Sequence, residues 1–166
     1  MFSVLATKKL LDRMPQLIEA PVSVPTTRLG NWFAKPLFWR PQYALFVSEI
    51  TFLSVLSPLA PSSSLANRFP DDAAAMLRVL GVAEWIIEEE LAEMDDIVVS
   101  RTNSRQVVGV LNELAFIANN LRRLHPEMSA LQIALALSEV PLGIHGKEYR
   151  FPSVALADLM VSASKS

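Results

Sequence analysis

Between Ser104 and Leu124 the apolar residues Val107, Leu111, Leu114, Ala118 and Leu121 recur at alternating steps of four and three. Only an α-helix brings such positions onto one stripe, so this segment is a helix with one face committed to a core. That face needs a surface to cover, and Trp32 to Ser57 supplies one, because aromatic and β-branched residues are dense there. Arg40-Pro41-Gln42 suits a type I turn, and a second reversal near Ser48-Glu49 completes a three-stranded antiparallel meander. Pro36 has no N–H to give a ladder, which assigns the first strand to an edge or a bulge.

The remaining segments attach to this pair. Phe2 to Ala6 reads as a strand running into a helix that Thr7 can cap. Prolines 15, 21 and 25 make a loop of the stretch up to Gly30, and Pro58 to Pro70 is a loop by composition. Asp71 and Asp72 then open a helix through Leu80 that stops at Gly81, and Val82 to Met94 forms a second one. Ile97, Val98 and Val99 mark a buried strand, Ser129 caps a helix through Val140, and Ser153 to Ser162 is a last short helix. The fold class is therefore α+β, a single globular domain over residues 1–166. A small antiparallel sheet, built from about 32–57 with short strands near 2–6 and 97–100, packs against the C-terminal helices.

Composition agrees: 166 residues with 51% apolar content can bury one substantial core. The two longest apolar stretches, Tyr43 to Ala60 and Met128 to Ile144, are interrupted by polar residues and proline, so neither spans a bilayer. Lys8, Lys9, Asp12 and Arg13 stand where the apolar region of a secretory leader would continue. With no cysteine, the chain has no disulfide, thiolate metal site or cysteine nucleophile, which suits a reducing, cytoplasmic setting.

A net charge of -2 gives no global field toward nucleic acid or an acidic membrane, so any such binding needs a local patch. Two patches stand out. Arg101-Thr102-Asn103-Ser104-Arg105 enters the long helix, where free N–H groups, hydroxyls and guanidiniums suit a phosphate or carboxylate, with Trp32 placed to cover a base. Within residues 61–100, Arg68 and Arg78 face nine acids, and Glu84, Glu88, Glu89 and Glu90 form an acidic face suited to a basic protein partner. A third set, Trp32, Phe33, Phe38, Trp39 and Tyr43 interleaved with Arg28, Lys35 and Arg40, matches either a single-stranded nucleic-acid surface or a core face with solvated cations. Gly109 inside the long helix suggests close packing there.

Catalytic signatures are scarce. His125 and His145 lie in no zinc spacing, and His125 is placed to cap the end of the long helix, while His145 near Lys147 and Tyr149 is the better base. No nucleophile elbow, phosphate-binding loop or dinucleotide fingerprint is present, so no metal and no cofactor is expected.

Three segments carry a resemblance: Leu29-Gly30-Asn31-Trp32-Phe33-Ala34; Leu45-Phe46-Val47-Ser48-Glu49; and Thr102-Asn103-Ser104-Arg105-Gln106-Val107-Val108-Gly109 with Asn112-Glu113. Together with Thr7-Lys8-Lys9-Leu10-Leu11, they resemble a small prokaryotic family classified as a domain of unknown function, over Thr7 to Leu159. Ser48 departs from it, since asparagine is expected there. The resemblance implies a shared fold and brings no activity, cofactor or catalytic residue with it.

The sequence thus predicts a non-enzymatic protein-interaction or regulatory module that docks a basic partner through its acidic face. The alternative is an enzyme or sensor binding a phosphorylated ligand or nucleic acid near Arg101 to Arg105, and a homo-oligomeric scaffold is a third outcome. Membrane association is not expected.

Overall fold

The computed structural model of the chain describes residues 1–14, 20–102, 104–143 and 148–164. Strands β1 (Phe2–Ala6), β2 (Trp32–Leu37), β3 (Tyr43–Ser48), β4 (Ser54–Pro58) and β5 (Ile97–Arg101) form one sheet in the order β4-β3-β2-β1-β5. The expected meander is present, with β2, β3 and β4 paired antiparallel. The strands near 2–6 and 97–100 also join, but β1 runs parallel to both β2 and β5, so the sheet is mixed rather than antiparallel. Connectivity explains the difference. The short links after β2 and β3 can only make hairpins, whereas β1 reaches β2 through α1 (Lys8–Leu11) and a long connection that permits a parallel crossover.

The first hairpin closes over a cis Arg40–Pro41 peptide bond, unlike the trans bond of the expected type I turn. Pro36 pairs with Ala44 on the β3 side, while the β1 ladder ends opposite Ala34. The missing N–H therefore costs no ladder bond, although β2 is an interior strand.

Helix α2 (Leu65–Val79) covers one sheet face, and α4 (Arg105–Leu124) packs against β2 and β3. The Phe69 ring stacks on Phe46 at 4.1 Å, meets Trp32 edge-on at 5.0 Å and approaches Phe2 at 6.0 Å. α2 thus begins at Leu65, inside the stretch expected to be loop, and carries Pro70 in its interior. Leu65, Phe69, Ala73, Met76 and Leu77 are its buried stripe, and burial of that stripe outweighs the roughly 3 kcal/mol that an interior proline costs. The helix does stop at Gly81, with φ of +84°. Gly81 N–H donates to Arg78 O and Val82 N–H to Leu77 O, the paired bonds of a Schellman motif.

In α4 the stripe is as expected, with Leu111, Leu114, Ala115 and Ala118 buried and Ser104 accepting from Val107 N. Gly109, however, is exposed, and a Cβ there would meet nothing within 4 Å. Helix α3 (Glu84–Ala92) follows α2, and α5 (Ala130–Leu137) starts with a Ser129/Gln132 capping box and packs on β4. A two-stranded ribbon, β6 (Leu142–Gly143) with β7 (Tyr149–Arg150), precedes α6 (Pro152–Ser164). No helix among the described residues is long and apolar enough to cross a membrane.

Candidate functional site

β2 alternates, so Trp32 and Ala34 face α2 while Lys35 and Leu37 point to the other side, where α4 lies. Beside its apolar stripe α4 carries a second one, Asn112, Ala115, Asn119 and Arg122, at steps of three, four and three. Lys35 Nζ donates to Asn112 Oδ1 at 2.8 Å, and Trp39 Nε1 donates to Asn119 Oδ1 at 2.7 Å. Small Ala115 between the two asparagines leaves room, and a groove of about 490 Å³ opens between α1, the end of β2 and α4. Lys9, Lys35, Phe38, Trp39, Arg122 and Arg123 line it. Its floor is the last three residues of β2, Lys35 to Leu37, and one wall is Lys9, which follows the parallel strand β1.

The groove is cationic and aromatic. The Arg122 guanidinium lies 4.7 Å from the Trp39 ring centre, and its Nη2 donates to Arg40 O at 2.9 Å. Phe38 is 58% exposed, with Lys9 Nζ at 6.0 Å and the Arg13 guanidinium at 5.9 Å from its ring centre. Among the described residues no carboxylate forms an ion pair with Lys9, Arg13, Lys35, Arg40, Arg122 or Arg123. Burial, and secondarily repulsion from Lys9, hold the Lys35 amine below the usual lysine range. Of the interleaved aromatic and basic set, Lys35, Phe38 and Trp39 converge here, with Arg40 beside Arg122. Trp32 and Phe33 go to the core.

The Arg101 to Arg105 arrangement falls elsewhere. Arg101 ends β5, Thr102 is buried and donates its N–H to Ala6 O, Ser104 caps α4, and Arg105 is its exposed first residue. Asn103 lies outside the described residues, as do His145 and Lys147. Trp32 is wholly buried beneath Phe69, so its ring has no face to offer a base. Arg105 and Arg122 sit at opposite ends of α4, about 26 Å apart at 1.5 Å per residue. His125 occupies the C-cap of α4, its Nδ1 3.4 Å from Glu127.

The acidic face also divides. Glu84 pairs with Arg78 at 2.8 Å and Glu89 with Arg28 at 2.6 Å, while Glu88 is exposed. Glu90 is only 3% exposed, and its carboxylate accepts Arg28 N–H at 2.7 Å and Leu29 N–H at 2.9 Å. It anchors a turn and belongs to no docking surface. The same turn is held by Asn31 N–H to Glu49 Oε1, Ser3 N–H to Asn31 Oδ1, and Ser48 Oγ to Leu29 O. Gly30, at φ +74°, has Glu49 Oε1 only 2.6 Å from where a Cβ would stand, so the turn admits no side chain there. Ser48 Oγ also accepts Ile50 N–H and Thr51 N–H, so one hydroxyl serves as donor and acceptor at the position where asparagine was expected. The segments 29–34 and 45–49 thus meet at a structural knot.

Sequence reasoning missed Lys9, Asn112, Asn119, Arg122 and Arg123 as a group. The one local signal was the second stripe of α4, small and polar at helical spacing beside the apolar one.

Sheet, helices and groove together define an α+β domain with an open cationic cleft. The chain belongs to the family described as Domain of unknown function (DUF6933), whose family model matches residues 4–155. No curated protein and no solved structure matches the chain.

Proposed function

We propose that this domain is a binding module whose groove takes the phosphates of a nucleotide, free or within a single strand, while Phe38 stacks on its base. The observation that carries the reading is that Lys9, Lys35, Arg122 and Arg123 line one groove with no carboxylate partner among the described residues. Assembling like charges costs free energy, and a phosphate chain would repay it. An exposed ring flanked by cations suits base stacking. The described lining offers amine, guanidinium and amide groups but neither histidine nor carboxylate, which favours binding without turnover.

The test is fluorescence anisotropy with a labelled single-stranded 12-mer, competed by unlabelled adenosine triphosphate. Arg122→Glu with Arg123→Glu is expected to weaken binding at least about thirtyfold and to flatten its salt dependence. Phe38→Ala should cost about 5- to 100-fold, the worth of one stacked base. Efficient competition by the triphosphate identifies a free nucleotide as ligand, and its failure identifies a strand. Binding unmoved by the charge reversals, with folding intact, overturns the reading.

A second reading keeps part of α3 as a docking surface for a basic protein segment. It is favoured by Trp85, which is 49% exposed one turn from Glu88 and Glu89. An arginine-rich nonapeptide should lose about tenfold in affinity when Trp85→Ala is combined with Glu88→Gln. Equal affinity removes α3 from consideration.

A further inference from the structure

We propose that Lys35 is an acylation site, its amine taking the acyl group of an acyl phosphate that the groove's cations hold by the phosphate. Four features of the groove support this. Lys35 rises from β2 into a cleft it shares with Lys9 of α1 and Arg122 and Arg123 of α4. Those cations attract the phosphate end of such a reagent, which brings its carbonyl carbon to the amine. The Lys35 side chain is half-buried and, among the described residues, donates one hydrogen bond, to Asn112 Oδ1, so a neutral amine keeps its lone pair for the cleft. No ion pair among the described residues holds it in the protonated form. Burial and the Lys9 charge favour the neutral amine further.

The step balances without a further co-reactant. The Nζ lone pair attacks the carbonyl carbon, an N–C bond forms, and the C–O bond to phosphorus's oxygen breaks with its electron pair leaving on inorganic phosphate. The displaced amine proton passes to water. Asn112 Oδ1 remains as acceptor for the positive charge that develops on nitrogen, and Lys9, Arg122 and Arg123 receive the departing phosphate. The product is a neutral amide, so the modification would also lower the positive charge of the groove.

The inference rests on the groove's attraction for phosphate proposed above, yet its readout needs no nucleotide. The full chain is incubated with acetyl phosphate, and acetylation of each lysine is followed by peptide mass spectrometry after cleavage at glutamate. Lys35 should be acetylated at least about threefold faster than exposed Lys8 at neutral pH, and the lead should narrow in alkali, where exposed amines are also deprotonated. Millimolar inorganic phosphate should slow Lys35 and leave Lys8 unchanged. Lys35→Arg should remove the fast site with the rate at Lys8 unaltered. Equal rates at Lys35 and Lys8 overturn the inference even if nucleotide binds, and a fast Lys35 without nucleotide binding overturns only the ligand reading.

Discussion

Phe69→Ala is expected to lower the free energy of unfolding by about 3–5 kcal/mol, the usual loss for removing a fully buried aromatic ring. The ring is wholly buried and touches three others from three different strands: Phe2 of β1, Trp32 of β2 and Phe46 of β3. It is the aromatic centre of the buried stripe that Leu65, Ala73, Met76 and Leu77 complete, and α2 needs that burial, because Pro70 removes an N–H from the helix interior and leaves the Ala66 carbonyl without its helical partner. Two penalties therefore combine in the variant: a cavity among the rings, and a proline-interrupted helix with less burial to offset it. With a urea dependence of about 1–3 kcal/mol per molar, the midpoint should fall by roughly 1–5 M. A loss below about 1 kcal/mol would mean that α2 begins after Pro70, as the local sequence suggests, and that Phe69 lies outside the core.

That disagreement between local sequence and fold shows what could be read in advance. The α4 stripe and the β2–β3–β4 meander were legible because their signals are local: side-chain period within a helix, and turns between adjacent strands. The direction of β1 was not, since a parallel pairing between Val4 and Trp32, or between Val4 and Val99, leaves no mark in either segment alone. The start of α2 was hidden by Pro58, Pro61, three serines and Pro70, all loop formers, whose preference gave way to the burial of Leu65 and Phe69. The groove was hidden for a similar reason: Lys9, Lys35 and Arg122 come from three elements, and only the fold makes them neighbours. Their aromatic companions are partly legible, because Phe38 and Trp39 lie between Lys35 and Arg40 in one short segment. The burial of Trp32 is not legible, since nothing in its strand reveals which face α2 covers.

Glu90 is the sharpest case, one of three consecutive glutamates by sequence and a buried anchor in the structure. Glu90→Ala is expected to cost about 2–4 kcal/mol, because it strips the acceptors from Arg28 N–H and Leu29 N–H, and an orphaned buried donor costs about 1–3 kcal/mol. Glu90→Gln keeps an acceptor oxygen for one of the two N–H groups and turns an amide donor toward the other, so it should recover at most about half of that loss. The same substitution isolates the carboxyl's titration. Burial raises its pKa above the ordinary 4.5, the two backbone N–H groups and the Arg28 charge oppose the rise, and Glu93 adds to it. A carboxyl raised in the folded state binds its proton more tightly there than in the unfolded chain, so its contribution to stability is largest below 4.5 and is lost as pH rises through the native value. Chemical unfolding of wild type and Glu90→Gln across this range should therefore show wild type gaining on the variant as pH falls, while titrations common to both cancel. Wild type losing ground on acidification would mean that the two N–H bonds outweigh desolvation, and that the turn from Thr27 to Asn31 is held by a carboxylate in its charged form.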